Sequence, residues 1–462
     1  MKHLLMLLGI LGVFTSSVKG GMQRIGTLTL SSTNYQGLYA AVIDPTNGYA
    51  YFGGRGGWII KVDIKGPLPV EVGACQIPGR MLAGAIDVGT GYLYAGGLGA
   101  VIDTSDPLNH YAYFDNASTI WRVALGAGTN PPAYDTSITV TPNQVVKVAL
   151  SSFTQIGAVP LNSDESPRRA VIDPQHGYAY FACPLSPNST PKIVKVALGS
   201  GTNPPVRVGA AVLDTNMVGI GAAEIDTIKG YAYFGVYGST DLSQPATIYK
   251  VALGAGGAPP SLVSAVNLHP GEILLCSAVI DPQAGLSGYV YFGCDLTYPG
   301  RIYQFGLGEG SATPVETGVL VLSGGTDTPP GNGTNDFDSP PTKYGEVFLQ
   351  SAVFDTVRGY AYFGTDSEPG LVVKVAVDRD PNPFRITSIA QEANDLRVTW
   401  MMDLGQTNAL QATTGGTDSG YATNGFKDIF TVTNTASAVT NYLDISAATN
   451  FPSRYYRVRL VP

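Results

Sequence analysis

The chain has 462 residues, a formal net charge of −8 and only 13% charged residues, with 57 Gly, 32 Pro and 26 Tyr. An acidic balance without any basic cluster argues against nucleic acid or an anionic membrane as partner. Few charges and many turn-forming residues favour an exported all-β protein.

Residues 1–20 have the composition of a secretory signal peptide. A basic start at Lys2 precedes an apolar run from Leu4 to Phe14 and a polar stretch that ends at Gly20. The apolar run is too short to cross a bilayer as a helix, and no later stretch approaches the ~20 residues that a crossing needs. We therefore expect no transmembrane segment and a secreted or cell-surface protein, with the periplasm as the alternative.

A short apolar run ending in Asp, a turn and a Tyr-x-Tyr-Phe-Gly run recurs seven times. Turn residues such as Asp-Pro-x-x-Gly between the two runs predict a β-hairpin. Repetition of this kind is typical of a propeller or a solenoid. The copies span residues 41–54, 84–97, 100–116, 170–183, 223–236, 278–294 and 352–365.

Two further strand types follow most hairpins, as in KIVKVAL from Lys192 and VRVGAAVL from Val206. Four antiparallel strands in sequence make one propeller blade. The last hairpin lacks a fourth strand, whereas MQRIGTLTL from Met22 to Leu30 has the fourth-strand pattern. We predict that this segment completes the last blade and closes the ring, which removes an exposed sheet edge.

The stretch from Met81 to Leu161 is irregular, because two hairpin copies stand close together there. We assign Ala83–Phe114 to a compact second blade, with GAVIDTS from Gly99 to Ser105 as its third strand, and Trp121–Leu161 to the next blade. The predicted fold is an all-β, seven-bladed β-propeller closed by the N-terminal strand, with six or eight blades as alternatives.

The repeat AVIDP-x-x-GYAYFG followed by I-x-KV resembles the YVTN-type repeat of exported bacterial seven-bladed propellers, and GAVIDTSDP resembles the related LVIVD-type repeat. The resemblance covers Met22 to Asp378. It implies the fold, but it does not select a function, because such propellers serve binding, adhesion and several enzymatic chemistries.

The repeat ends at Asp378, and residues 379–384 form a proline-rich linker. Short alternating strands in 385–462, such as DLRVTW from Asp395 and RYYRVRLV from Arg454, predict a small β-sandwich. They resemble a fibronectin type III or immunoglobulin-like domain with Trp400 in its core. The resemblance implies a spacer, anchoring or sorting role.

Loop insertions fall on one predicted face of the propeller, so we place ligand binding there. Asp164, Glu272 and Glu346 each stand nine residues before the Asp that ends an inner strand. We interpret them as solvated loop acids or caps. The alternative is that the spacing directs three carboxylates at a central funnel, suited to a cation or to sugar hydroxyls. Asp44, Asp173, Asp281 and Asp355 recur at strand-to-turn junctions, where we expect them to accept from turn amides. The ligand-binding candidates are Arg55, Asp164, Arg168, Glu272, Asp295, Arg301, Glu346 and Asp366.

Two further features have a chemical and a plain interpretation. Asp327, Asp336 and Asp338 lie in a loop rich in oxygen ligands of the kind calcium prefers, without the order of an EF-hand, so an ordinary polar loop is the alternative. Apart from calcium, no cofactor is predicted. Cys276 and Cys294 flank one hairpin almost symmetrically, which predicts either a cross-strand disulfide or two buried free thiols.

The sequence favours an exported, non-enzymatic binding or scaffold protein. Its partner would be a polysaccharide, a protein or the cell envelope, bound through the loop-rich face, and no catalytic residue is predicted. The alternative is a propeller enzyme with a site in the central funnel, either a glycan or lactone lyase or hydrolase, or a quinone-dependent oxidoreductase. Polar side chains converging at the ring axis would favour the enzyme, and a funnel lined by Gly, Ala and aliphatic residues would favour binding. The oligomeric state is not set by the sequence.

Overall fold

Antiparallel strands form nearly all of the regular structure in the computed structural model. They fall into two units, Gly21–Val377 and a C-terminal unit over 386–461. The predicted calcium ligands Asp327, Asp336 and Asp338 lie outside the described residues. The structure describes residues 21–184, 190–213, 219–238, 244–269, 272, 274–282, 288–295, 297–324, 345–377, 386–401, 407–414, 425–433, 439–450 and 453–461.

The first unit contains 28 strands. In chain order they are β1 (Gln23–Thr29), β2 (Ala40–Asp44), β3 (Tyr49–Gly53), β4 (Trp58–Asp63), β5 (Val70–Gln76), β6 (Gly84–Asp87), β7 (Tyr92–Ala95), β8 (Ala100–Asp103), β9 (Tyr111–Asp115), β10 (Thr119–Ala124), β11 (Ala133–Thr139), β12 (Gln144–Ala149), β13 (Thr154–Pro160) and β14 (Arg169–Asp173). They continue as β15 (Tyr178–Cys183), β16 (Lys192–Ala197), β17 (Val206–Val212), β18 (Ile220–Asp226), β19 (Tyr231–Val236), β20 (Thr247–Ala252), β21 (Ser261–Asn267), β22 (Leu275–Asp281), β23 (Tyr289–Cys294), β24 (Arg301–Gly306), β25 (Val315–Val321), β26 (Leu349–Asp355), β27 (Tyr360–Thr365) and β28 (Leu371–Ala376).

These strands pair into seven four-stranded sheets, which we number around the ring. From the inner to the outer strand, they are sheet 1 (β2-β3-β4-β5), sheet 2 (β6-β7-β10-β11), sheet 3 (β8-β9-β12-β13), sheet 4 (β14-β15-β16-β17), sheet 5 (β18-β19-β20-β21), sheet 6 (β22-β23-β24-β25) and sheet 7 (β26-β27-β28-β1). The inner strands contact one another in a closed cycle, from sheet 1 through sheet 7 and back to sheet 1. The unit is a β-propeller.

The predicted closure by the N-terminal segment is confirmed. Strand β1 pairs antiparallel with β28, with Leu28 opposite Val372 and Thr29 opposite Leu371. Sheet 7 therefore combines the first strand of the unit with its last three. Because the outer strand and the inner three come from opposite ends of the chain, unfolding of either end opens the ring.

The predicted assignment of residues 83–161 is wrong, because sheets 2 and 3 are interleaved. The chain forms the inner two strands of sheet 2, then the inner two of sheet 3, and returns to add β10 and β11 to sheet 2 before β12 and β13 complete sheet 3. Strand β8, the GAVIDTS segment, is thus the inner strand of sheet 3. Its Ala100 pairs with Phe114, as Ala41 pairs with Phe52 in sheet 1. The repeat motif therefore identifies an inner strand more reliably than the order of strands along the chain does.

A buried lysine on the third strand connects most sheets to the next sheet. In sheet 4, Lys195 is 0% exposed, and its Nζ lies 4.0 Å from the Tyr178 ring centroid and 5.8 Å from that of Tyr180. The same Nζ donates to the carbonyls of Gly254, Gly256 and Ala258 in the β20–β21 turn of sheet 5, at 2.6, 2.7 and 3.1 Å. We call this arrangement the lysine cage. It recurs at Lys61, Lys147, Lys250 and Lys374.

The second tyrosine of the repeat strengthens the same junction. The Tyr180 hydroxyl donates to the carbonyl of Leu253 at 3.1 Å, where the turn of the next sheet begins. Burial raises the pKa of this tyrosine and lowers that of Lys195, so each group is desolvated and depends on its partners in the cage. Equivalent bonds are made by Tyr51, Tyr113, Tyr233 and Tyr362.

Two sheets lack the lysine, and in both cases the next sheet lacks the matching turn. Gln304 of sheet 6 replaces it next to sheet 7, where the third and fourth strands are not joined by a hairpin. Arg122 of sheet 2 replaces it next to sheet 3, whose β12–β13 turn is short. There its guanidinium carbon lies 4.9 Å from the Phe153 ring centroid, and its Nε donates to Asp135 at 2.6 Å. The lysine is therefore absent from the third strand where the neighbouring sheet lacks the turn that would supply its carbonyl acceptors.

The C-terminal unit contains two three-stranded sheets. Its elements are β29 (Ile386–Glu392), β30 (Asp395–Met401), β31 (Thr407–Thr414), β32 (Lys427–Thr433), β33 (Val439–Asp444), α1 (Ala447–Asn450) and β34 (Arg454–Val461). The sheets run β29-β30-β33 and β32-β31-β34. Trp400 is 0% exposed and packs with Leu410 and Phe430 of the other sheet, so its predicted core position is confirmed. Within the described part of the chain, no helix is long and apolar enough to span a membrane.

The lysine cage predicts the effect of Lys195→Met. This change leaves three carbonyls of sheet 5 without their shared donor, so we expect a loss of about 2–4 kcal/mol in the free energy of unfolding. The measurement is equilibrium denaturant unfolding of the purified protein. Gln304→Lys is the matched test, because it adds a lysine where no hairpin turn receives it, and we expect it to destabilise the protein. A stability gain in Gln304→Lys, or a Lys195→Met protein as stable as the wild type, would contradict the cage.

Candidate functional site: the channel mouth

The inner strands surround a narrow channel along the ring axis. At one position of each inner strand stands an alanine or a glycine, paired with the Phe of the second strand or its equivalent. Together these seven residues form a ring around the channel, which we call the small ring. Two residues further along the strands, Ile43, Ile86, Ile102, Ile172 and Ile225 line an apolar section. The channel is therefore closely lined by small and aliphatic side chains. The small ring consists of Ala41, Gly84, Ala100, Ala170, Ala223, Ala278 and Ala352.

Polar groups gather where the inner strands begin, on the face that carries the loops between second and third strands. A cavity of about 170 Å³ opens there, and we call it the channel mouth. It is lined by residues from the inner strand, or the segment just before it, of all seven sheets. Its polar lining residues are Tyr39, Arg169, Glu224, Cys276, Ser277, Gln350 and Ser351.

Arg169 enters the channel mouth one residue before the small ring. The other sheets have Ala40, Ala83, Gly99, Ala222, Ser277 and Ser351 at this position. The Arg169 side chain is anchored by backbone: Nε donates to the carbonyl of Gly221 at 2.6 Å, and Nη1 donates to that of Arg168 at 3.1 Å. A guanidinium with five N–H donors retains others in this arrangement.

Glu224 replaces the valine or alanine that follows the small ring in the other sheets. It lines both the mouth and the apolar section below it. Burial raises the pKa of Glu224 to about 8, so this carboxyl is largely protonated at neutral pH. An acid with a raised pKa that lines a cavity is a typical feature of a functional site.

On one side of the mouth, the polar side chains bind one another. The Cys276 thiol lies 3.6 Å from the Tyr237 hydroxyl and 3.8 Å from Asp295, and Gln350 Nε2 donates to Asp295 at 2.9 Å. Burial raises the pKa of the Cys276 thiol well above its usual value. The thiol therefore stays protonated at neutral pH and is a poor nucleophile.

Next to it, a second cluster joins sheets 7 and 1. The Tyr39 hydroxyl donates to Asp366 at 2.8 Å, and Arg55 Nη2 donates to the Tyr39 hydroxyl at 2.5 Å and to Asp366 at 3.2 Å. Of the predicted ligand-binding residues, Arg55, Asp295 and Asp366 thus lie around the mouth. They hold the walls in place through mutual bonds.

Asp115 of sheet 3 is buried behind the wall of the mouth. Its Oδ1 accepts from the amides of Leu98 and Gly99, while Oδ2 has no hydrogen-bond partner among the described residues. Burial raises the pKa of Asp115 to about 7, and the charge of Arg169 opposes that shift. The pKa of this acid and that of Glu224 both lie near neutrality.

Asp164, Glu272 and Glu346 do not converge on the channel, so the funnel interpretation of their spacing is wrong. Glu346 forms an ion pair with Arg24 at 2.6 Å, Glu272 with Arg301 at 3.0 Å, and Asp164 with Lys192. None of the three is among the described residues that line the channel mouth. Arg301 is therefore a partner of Glu272, and Arg168 is exposed, with its carbonyl bound to Arg169.

The spacing misled because of a bulge. Sheets 6 and 7 carry one extra residue in the inner strand, between Leu275 and Ser277 and between Leu349 and Ser351, and sheet 4 has none there. Glu165, not Asp164, is thus the equivalent of the two glutamates. Its ion pair with Arg207 at 2.6 Å and its bond to the amide of Asn162 match theirs.

Of the two interpretations of Cys276 and Cys294, the pair of buried free thiols is confirmed and the disulfide is wrong. The same bulge places Leu275, not Cys276, opposite Cys294. Cys276 faces the channel mouth, whereas Cys294 packs in the hydrophobic core between sheets 5 and 6. By contrast, the predicted turn role of Asp44, Asp173 and Asp355 is confirmed by bonds to amides three residues on.

The final ligand-binding candidates drawn from the sequence leave out Arg169, Glu224 and Tyr237. The signal was present, since each interrupts a repeat position that is otherwise small, aliphatic or part of a turn. A repeat alignment that allowed for the bulge would have singled them out.

Comparisons with known proteins address the fold. The chain matches no family model and no curated protein. Among solved structures, hydrazine synthase of Kuenenia stuttgartiensis is similar over 76% of this chain and 99% of that chain, with a TM-score of 0.51 and 11% identity. Saccharomyces cerevisiae Sqt1 is similar over 77% and 100%, with a TM-score of 0.46 and 10% identity. The WD40 β-propeller domain of Doa1 is similar over 78% and 98%, with a TM-score of 0.47 and 13% identity.

The raised pKa of Glu224 predicts a pH-dependent stability. Between its ordinary pKa and about 8, the unfolded chain loses this proton while the folded chain keeps it, so the free energy of unfolding falls as pH rises through this range. We expect Glu224→Gln to remove this fall, and therefore to be stabilising at pH 8 relative to the wild type and nearly neutral at pH 5. The measurement is denaturant unfolding at both pH values. Glu309→Gln, an exposed turn residue, is the control and should show no such difference. An equal effect of Glu224→Gln at both pH values would contradict the burial of a protonated acid.

Proposed function

We propose that this protein is an exported seven-bladed β-propeller that binds its ligand at the channel mouth and the surrounding loop-rich face. The seven four-stranded sheets and the closed cycle of inner strands support the blade count. The C-terminal unit, with two sheets around Trp400, supports a fibronectin type III or immunoglobulin-like sandwich that serves as a spacer or anchor. The leader-like residues 1–20 support export.

The lining of the channel is the observation that favours binding over catalysis. Small and aliphatic residues form most of the wall, and the polar groups gather at the mouth, where Tyr39, Cys276 and Gln350 are bound to the side chains behind them. Within the described ranges, no group of three or more His, Cys, Asp or Glu residues is placed to hold a metal ion. A rigid cavity with few polar groups is suited to recognising part of a ligand.

One observation favours a second candidate, an enzyme of glycan or lactone cleavage. Glu224 is a protonated acid at neutral pH in a cavity, which is the property of a general acid. Under this hypothesis, Glu224→Gln abolishes turnover of a glycan or lactone substrate without loss of substrate binding. Under the binding function, no such turnover exists to be lost.

The binding face can be tested by blocking each face of sheet 4 separately. Ser166 is exposed in the loop before β14 on the mouth face, and Gln175 is exposed in the turn of the opposite face. We introduce Ser166→Cys or Gln175→Cys into a Cys75→Ser background, because the other native thiols are buried, and attach a polyethylene glycol chain to each. The conjugates are then assayed on a glycan array and on isolated cell envelopes.

We expect the unmodified protein to bind and the conjugate at residue 166 to lose that binding, since the polymer covers the mouth. The conjugate at residue 175 should bind as the unmodified protein does. Equal binding by both conjugates, or loss only at residue 175, would contradict a ligand site on the mouth face.

A further inference from the structure

We propose that the channel mouth binds the carboxylate of a small organic acid, with the Arg169 guanidinium as its main partner. This inference rests on the proposed binding function and gives the chemical class of the group that enters the mouth. The carboxylate belongs either to a free acid or to the end of a larger ligand.

The first observation concerns the hydrogen-bond partners of the Arg169 guanidinium. Its two hydrogen bonds to described residues go to the neutral carbonyls of Gly221 and Arg168, and among the described residues it forms no ion pair with a carboxylate. Most other arginines of the propeller unit pair with an acid, such as Arg207 with Glu165 and Arg24 with Glu346. A guanidinium held in a partly enclosed cavity with free N–H donors is suited to a planar carboxylate.

Further donors line the same cavity. Ser351 is 5% exposed, and its Oγ has no hydrogen-bond partner among the described residues. Glu224, on the neighbouring strand β18, is protonated at neutral pH and can donate its O–H.

Size and charge restrict the ligand. The cavity of about 170 Å³ is smaller than the ~300–1,000 Å³ of pockets for drug-sized ligands. A single guanidinium balances a single negative charge. The buried Asp115 and Asp295 near the mouth, together with the net charge of −8, disfavour a phosphate or a polyanion. The small ring and the isoleucines below it leave an apolar wall for a short aliphatic body.

The neighbouring arginine provides a matched control. Arg168→Ala removes the same charge from an exposed side chain, whereas Arg169→Ala removes it from the mouth. Alanine is the residue found at the equivalent position of sheets 1, 2 and 5, so Arg169→Ala is expected to fold. Thermal unfolding of both variants checks this.

The experiment measures binding of butyrate, of the neutral isostere butyramide and of inorganic phosphate by ligand-observed NMR with the full mature chain. We expect butyrate to bind with a dissociation constant of about 1 mM, in line with its few atoms, and the other two probes not to bind. Arg169→Ala should weaken the affinity for butyrate by about tenfold or more, and Arg169→Lys should weaken it by less. Arg168→Ala should leave the affinity for butyrate unchanged.

The proposal is overturned if butyrate does not bind, or if it still binds equally well to the Arg169→Ala variant. It is also overturned if butyramide or phosphate binds as tightly as butyrate. The proposed function is judged separately, by the face-blocking experiment on the glycan array and envelopes. A protein that binds those ligands at the mouth face but not butyrate retains its function without a carboxylate site.

Discussion

The contact of a buried lysine with the turn of the neighbouring sheet is the interaction on which the ring depends. Within each sheet, backbone hydrogen bonds are satisfied locally, so they do not decide how one sheet lies against the next. The lysine cage does, because one ammonium bridges two tyrosine rings of its own sheet and up to three carbonyls of the next. Glycines of the outer strand add to it: a Cβ at Gly73 or Gly209 would meet Pro131 or Pro259 of the next sheet at 2.8 Å. At the junctions that have a lysine cage, the sheets are thus joined by a buried charge, and close backbone packing adds to it where the outer strand carries such a glycine.

Because the lysine cages lie away from the ring axis, residues at the axis can differ from the repeat without loss of the contacts between sheets. The small ring brings seven inner strands close together, and Arg169 and Glu224 stand where the other sheets have small or aliphatic residues. Neither takes part in the lysine cage, so the repeat does not require them. Their position at the cavity and the raised pKa of Glu224 make the mouth the part of the molecule where a ligand group finds both donors and an apolar wall.

The sequence predicts the strands, the propeller and the closure by Met22–Leu30 well, because hairpin motifs and turn residues act locally and recur. It predicts the site poorly for two physical reasons. A bulge adds one residue to an inner strand without changing the repeat motif. Because sheet 6 has this bulge and sheet 4 has none, Glu165 rather than Asp164 is the equivalent of Glu272, and Cys276 does not pair with Cys294. The interleaving of sheets 2 and 3 depends on which strands pair, which the order of residues 83–161 does not state. The lysine cage was readable in principle, since Gln304 and Arg122 replace lysine only where the neighbouring turn differs.

Native-state hydrogen exchange of the propeller unit tests the closed ring most directly. The comparison is between the most protected amides of β27 and β28, in the sheet that β1 completes, and those of β15 and β16, on the far side of the ring. If the ring is closed, both sets exchange through one global opening, with the same free energy and the same dependence on denaturant. If the sheets instead exchange with separate free energies, falling progressively from the middle of the chain towards β1 and β28, they behave as independently stacked units, and a ring closed by its two ends is contradicted.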